Sequence, residues 1–307
     1  VPAPRHALAA TLAAAALLAP LAACDSASTP AAPAFDGAKA MARVKAQMDL
    51  GARVPNTPAH VKAGDWIVAE LKALADTVIE QPFTHVTVKG DTLRLRNILA
   101  RFKPGAAQRV LYLTHWDSRP TAEEDADSSK HAMPTPSAND GAAGVAMLIG
   151  VAEALKATPP TVGVDLLFVD GEDYGDFKVD KDVLLGSRWF ADHLPEPGYA
   201  PLFGVLFDMI GDKDLQIYQE GNSLQQAPDV VSRVWAAAKG LGLEQVFVPE
   251  NKWTVTDDHI PLLAKGLHVI DVIDLDYPWH HTTGDTIDKV SAESITKVAQ
   301  VALTLVR

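Results

Sequence analysis

Apolar residues recur at three- and four-residue spacing over residues 38–50 and again over 61–74, with the turn 51–58 between them, which predicts two helices. Beyond them the period changes. Strand-like runs occupy 77–83, 93–102 and 109–114, the last containing Val110-Leu111-Tyr112-Leu113, consecutive apolar positions of the kind a strand buried on both faces shows. Helix-length and strand-length patterns then alternate. A helix is expected over 141–157, a strand over 164–169, a short helix over 188–193, a strand over 203–207, a helix over 229–241, a strand over 268–273 and a closing helix over 292–306. Near-continuous apolar strands alternating with helices predict an α/β fold with a mostly parallel, mixed sheet and helices on both faces. No internal repeat or second linker divides the pattern, so residues 36–307 read as a single domain.

The segment before the first helix is different in kind. Arg5 and His6 precede an Ala/Leu-rich run over 7–19, followed by Pro20 and Leu21-Ala22-Ala23-Cys24, the layout of an export signal. Those last four residues resemble a bacterial lipobox, in which the Cys becomes the lipidated first residue of the mature protein, and Cys24 is the single cysteine of the chain. Residues 1–23 are therefore expected to be a lipoprotein signal peptide, and 24–35 a lipidated Cys24 followed by a polar, Pro-containing tether. Acyl chains on Cys24 would anchor the protein to a membrane on the periplasmic side of a bacterial cell envelope. The alternative is an ordinary cleaved signal peptide with an incidental Cys24.

Composition narrows the chemistry. With 27 Lys and Arg against 39 Asp and Glu among 307 residues, the net charge of −12 argues against a nucleic-acid partner, which needs a clustered basic surface. Apolar residues at 48% and charged residues at 21% allow a substantial core. One cysteine excludes a disulfide framework and a Cys-ligated zinc site, so any metal must use His and carboxylates.

Ligands of doubly wound sheets bind at the carboxyl ends of the strands, and there the polar residues gather. Val110–Leu113 runs into Thr114-His115-Trp116-Asp117-Ser118, and Leu166–Val169 into Asp170-Gly171-Glu172-Asp173. Val205–Phe207 runs into Asp208, and the strand over 268–273 into Asp274, Asp276 and Trp279-His280-His281. Asn139-Asp140-Gly141 stands at the start of a helix. Singly, each has a plainer reading: Asp140 as a helix N-cap, Glu172-Asp173 as a solvated loop, His280-His281 as a polar turn. Together, His115, Asp140, Asp173, Asp208 and His281 need a cation to balance them and have the N/O donor character that suits zinc, leaving Glu172 as a base.

Seven blocks in order then carry a resemblance. They are Thr-His-Trp-Asp-Ser (114–118), Ala-Asn-Asp-Gly-Ala-Ala-Gly (138–144), Phe-Val-Asp-Gly-Glu-Asp-Tyr-Gly (168–175), Leu-Gly-Ser-Arg (185–188), Phe-Asp-Met-Ile-Gly (207–211), Asp-Asp-His-Ile-Pro (257–261) and His-Thr-Thr-Gly-Asp-Thr (281–286). The chain resembles the M28 zinc-peptidase family and, within it, the glutaminyl-peptide cyclotransferases of animal and bacterial type. The resemblance implies zinc on Asp140, Asp173 and His281, with Asp173 in place of the commoner Glu. It implies a catalytic Glu172, an Asp208–Asp257 acidic relay, and a substrate pocket that includes Tyr174, Trp279 and His280. The cyclotransferases place a Trp immediately before the ligand His; here His280 holds that position and Trp279 stands one earlier.

Two activities follow from the same residues. A one-zinc cyclotransferase would close the N-terminal glutamine of a peptide or protein to pyroglutamate and release ammonia, with Glu172 shuttling the proton. A two-zinc aminopeptidase would add a second ion on His115 and Asp208, with Asp140 bridging, and use Glu172 to activate water. A non-catalytic binding domain is the remote third reading. Trp66 and Trp235 are expected in the core, His60, His85 and His193 at the surface or internally satisfied, and 123–127 in a solvated loop bordering the site at most. Asp274 and Asp276 either orient His281 or are loop charges.

Overall fold

The computed structural model describes residues 1–4 and 35–307. The export signal, Cys24 and the tether residues to 34 lie outside the described residues. Residues 1–4 form no helix or strand, and every described helix and strand lies between Gly37 and Thr304. Phe35, expected to end the tether, is buried in the core, its ring close against Gly150.

Two helices open the fold. α1 (Gly37–Leu50) starts at Asp36, whose side chain accepts the Lys39 N–H, and α2 (Pro58–Lys72) at Thr57, which caps the His60 N–H ahead of a proline in the first turn. The chain continues through β1 (Thr77–Val86), β2 (Thr92–Phe102), β3 (Arg109–His115), α3 (Ala142–Ala157), β4 (Gly163–Val169), α4 (Leu185–Asp192) and β5 (Phe203–Asp208). Then come β6 (Ile217–Glu220), α5 (Gly221–Gln226), α6 (Pro228–Gly240), β7 (Phe247–Trp253), α7 (His259–Ala264), β8 (Val269–Ile273) and α8 (Ala292–Thr304).

The main sheet has the order β1-β2-β4-β3-β5-β8. β4, β3, β5 and β8 run parallel, whereas β1 and β2 form a hairpin that joins β4 antiparallel, giving the mixed, mostly parallel sheet that the pattern predicts. Side-chain alternation divides the core between the two faces. Val110, Tyr112, Leu166, Val205 and Ile270 pack with α1, α3, α6 and α8, while Leu111, Leu113, Leu167, Leu206 and Val269 meet Phe190 of α4 and Leu262 of α7. Buried Asp165 in β4 accepts from Arg101 Nε at 3.0 Å, Arg109 Nε at 2.8 Å and the Tyr199 hydroxyl at 3.0 Å, so charge balance holds that acid inside the sheet.

The pattern does not predict β6, α5, β7 and α7. β6 and β7 pair parallel as a separate two-stranded sheet, and β7 is exposed for most of its length and carries Pro249, so it lacks an apolar signal. Among the described residues no helix is long and apolar enough to cross a membrane.

Candidate metal centre and active site

Parallel β3, β5 and β8 deliver their carboxyl ends to one edge of the sheet. His115 closes β3 and Asp208 closes β5, and both are buried. His115 Nε2 lies 2.9 Å from Asp140 Oδ1 and 3.3 Å from Asp208 Oδ1, while its Nδ1 faces Asp117 Oδ1 at 3.5 Å and Glu172 Oε2 at 3.6 Å.

Asp140 is not an N-cap. Gly141 takes that position at the start of α3 with φ +97°, a conformation that suits glycine, and a Cβ there would stand 3.0 Å from the His115 ring. The loop is held from behind by Asp285, which accepts the Asn139 N–H at 2.9 Å and the Asp140 N–H at 3.1 Å, so the Asp140 carboxylate is free to face the site. Asp117 does the same for the next loop, accepting the Glu172 and Asp173 N–H groups at 3.1 and 3.2 Å. Arg53, fully buried, ties these loops together through the carbonyls of Trp116, Pro136 and Ser137.

The structure gathers all five expected metal-site residues. His281 Nε2 lies 3.1 Å from Asp173 Oδ1 and 3.9 Å from Asp140 Oδ2. Two donor groups, each with its ligand atoms within 4.8 Å of one another, emerge among the described residues: His115, Asp140 and Asp208, and Asp140, His280 and His281. Asp140 is common to both. Asp173 Oδ1 accepts from Arg119 Nη1 at 2.7 Å, but among the described residues its buried Oδ2 has no hydrogen-bond partner, nor has either ring nitrogen of His115. Carboxylates and imidazoles buried together with orphaned donor atoms fit a cation with mixed N/O preference, which zinc is.

Beside this donor set the acids are held toward their protonated forms. Burial pushes Glu172 well above the usual carboxylate range; His115 opposes this, and Asp173, Asp257 and Asp258 reinforce it. Burial and the charge of Asp208 push Asp257 up in the same way, and burial takes Asp258 up to about 7. Asp271, inside β8, belongs to the same cluster, raised by burial and by Asp257. The expected Asp208–Asp257 hydrogen bond is not made. Asp257 Oδ1 instead accepts the Asp258 N–H at 2.5 Å, and its Oδ2 has no partner among the described residues.

A cavity of about 640 Å³ opens over these groups, with Asp140, Glu172, Asp208, Asp257, His280 and His281 in its lining and Phe177, Val255, Ile273 and Leu275 as apolar walls. Two expected pocket residues are elsewhere. Tyr174 packs with Phe83, Leu93, Leu95 and Leu185 away from the cavity, and Trp279 is 40% exposed with Lys289 Nζ 4.5 Å from its ring centroid. The aromatic wall is Phe177, whose ring centroid lies 6.4 Å from that of His281. A lone aromatic in a polar loop is its only mark in the sequence.

The loop over 123–127 enters the site. Glu123 lines the cavity, accepts from Arg119 Nε at 2.6 Å and stands 3.4 Å from His281 Nδ1, a carboxylate behind a candidate ligand. Asp274 and Asp276 do not touch His281: buried Asp274 accepts the Gln216 N–H, and Asp276 pairs with Lys252 at 2.5 Å. His60 and His85 are satisfied by Asp170 and Asp182, and Trp235 is buried while Trp66 packs at the edge of the core.

Known proteins share this fold. The family model described as peptidase family M28 matches residues 97–306. The chain belongs to peptidase family M28. Among solved structures, glutaminyl cyclase of Bacteroides thetaiotaomicron bound to N-acetylhistamine is 35% identical with a TM-score of 0.86, the match covering 90% of this chain and 98% of that one. A leucine aminopeptidase precursor from the same organism matches with the same identity, coverage and TM-score. A glutaminyl-peptide cyclotransferase-like protein of Bos taurus is 27% identical over 261 residues, 75% of this chain. The match spans 65% of that relative's own length. M28 relatives with both names support an enzyme, and the donor set described above is a candidate zinc site within it.

Proposed function

We propose that this M28 protein is a zinc-dependent glutaminyl-peptide cyclotransferase, which converts the N-terminal glutamine of peptides or proteins to pyroglutamate and releases ammonia. The observation that carries the reading is Glu172. It opens onto the cavity beside the candidate donor set, and burial with Asp257 and Asp258 nearby holds its carboxyl well above the usual range, so it can both take up and return a proton. Zinc held by Asp140, Asp173 and His281 would supply Lewis-acid polarisation of the glutamine γ-carbonyl.

The remaining work falls to the chain itself. Glu172 accepts a proton as the substrate α-amine forms its bond to the carbonyl carbon of the side-chain amide, and gives it back to the departing nitrogen when the C–N bond of that amide breaks. Ammonia leaves and no water is consumed. Asp208 and Asp257, both on the cavity lining, accept hydrogen bonds from the amine and the expelled nitrogen. Because the ring closure is intramolecular, walls such as Phe177 and Leu275 contribute by restricting the side chain to its reactive conformer.

The second reading is a two-zinc aminopeptidase. It is favoured by the compact His115–Asp140–Asp208 group and by the aminopeptidase-named structure that matches equally well. Glu172 would then take its proton from water attacking the first peptide carbonyl. A non-catalytic binding domain has no such support, since every donor and the base are retained. Export, and anchoring through lipid on Cys24 at the periplasmic face, belong to the same proposal.

The test is to load the full chain with zinc and supply a peptide beginning Gln-Leu. Loss of one ammonia from an otherwise intact peptide, reduced by about 10²-fold or more in Glu172→Gln with zinc content unchanged, is the expected result. Release of free glutamine would establish the aminopeptidase instead. Neither product, from protein that binds no zinc, would revive the binding domain.

A further inference from the structure

We infer that His280 is a metal donor alongside His281, and not a wall of the substrate pocket. The inference deepens the metal-centre reading and rests on it. A ring nitrogen of His280, a ring nitrogen of His281 and a carboxylate oxygen of Asp140 all lie within 4.8 Å of one another. Donors around a tetrahedral ion at about 2.1 Å stand about 3.4 Å apart, so side-chain adjustments of about an ångström close the set.

The backbone is built for this juxtaposition. His281 has φ +52°, in the left-handed region that residues other than glycine seldom adopt, and such strain persists where the surroundings impose it. Its effect is to lay two consecutive imidazoles side by side, with ring centroids 3.6 Å apart and planes 34° apart, where an extended strand would send them to opposite faces. The segment is pinned in place: the His280 N–H donates to the Tyr277 carbonyl, and the Glu124 N–H donates to the His281 carbonyl.

His280 is also chemically available. It lines the cavity, and among the described residues no protein group hydrogen-bonds its ring, whereas the neighbouring His281 has Glu123 3.4 Å behind it. Asp173 lies outside both compact donor groups, its Oδ1 shared between Arg119 Nη1 at 2.7 Å and His281 Nε2 at 3.1 Å. His280 thus adds a second imidazole to Asp140 and His281. Asp140, His280 and His281 would together hold the ion by three protein donors, the number that leaves a catalytic zinc a position for substrate.

Zinc affinity measured by competition with a chromophoric chelator, together with the visible spectrum of the Co²⁺-substituted protein, tests the assignment on the full chain. The variants are His280→Ala, His280→Gln, His281→Ala and Asp140→Asn. The expected result is at least tenfold weaker zinc binding in both His280 variants and a shifted Co²⁺ spectrum, with the metal-free melting temperature unchanged. Wild-type affinity and spectrum in the His280 variants, while His281→Ala and Asp140→Asn lose tenfold or more, would overturn the assignment and return His280 to the pocket wall. Unchanged affinity in all four would overturn the metal centre itself.

Discussion

Replacing Asp258 by Asn isolates a proton that the fold holds on a buried acid. Asp258 is fully buried; Oδ1 accepts from the Ser187 hydroxyl at 2.5 Å and Oδ2 has no partner among the described residues. Burial lifts its pKa from 3.8 to about 7, with Asp117 and Asp208 adding to the rise against the pull of Ser187 and His115. The folded state therefore binds this proton more tightly than the unfolded chain. Its contribution to stability is fully present below pH 3.8 and is lost as the pH rises to about 7, above which it stays lost. Three pH units correspond to about 4 kcal/mol, and sharing of protons with neighbouring acids reduces this to about 2–4 kcal/mol. Asn cannot ionise, so the variant should gain on the wild type by that amount between pH 3 and pH 8. Urea unfolding of the metal-free full chain at half-unit pH intervals reads the difference directly. A variant-minus-wild-type difference that stays constant within about 0.5 kcal/mol across the range would refute the buried proton.

Other expectations come from packing. Gly144→Ala should lower the melting temperature by about 3–8 °C although alanine is the better helix former, because overpacking here outweighs propensity. The new Cβ would stand 2.1 Å from Thr114 Oγ1 and 3.0 Å from the Phe207 carbonyl. A scan showing stabilisation would contradict that close fit. Phe177→Ala should raise KM for a Gln-Leu peptide by about tenfold through lost apolar contact, whereas Trp279→Ala, outside the cavity, should leave KM within about twofold. Equal effects of the two on KM would put Trp279 back in the pocket.

The parallel part of the sheet was legible because β3, β4, β5 and β8 are buried on both faces and so read as apolar runs. Of the acids directly after such runs, Asp208 reaches the cavity, whereas Asp170 pairs with His60 and Asp274 accepts the Gln216 N–H, so position after a strand marks an edge of the sheet and not a role. Asp258, Asp271 and Asp285 show where that reading ran out. Each is buried, yet a single acid carries no sign of its burial in a linear pattern; Asp271 alone had one, an Asp in the middle of Val-Ile-Asp-Val-Ile. Phe177 and Glu123 reach the cavity from polar loops whose paths are set by tertiary contacts, such as the bond of Thr283 to Asp125. Tyr174 and Trp279 failed for the converse reason. Adjacency in sequence to a site residue fixes a side chain's neighbourhood but not its direction, and Trp279 turns outward against Lys289.

Asp285 gives the centre an order of assembly. It grips the backbone of Asn139 and Asp140 from 146 and 145 residues downstream. Until the chain from β8 onward is in place, the Asn139 and Asp140 N–H groups lack their Asp285 acceptor and His281 has not arrived, however well the earlier strands have paired. The centre thus depends on contacts between distant parts of the chain. Partly folded protein would lack a finished place for a metal, which makes metal capture a marker that folding has been completed.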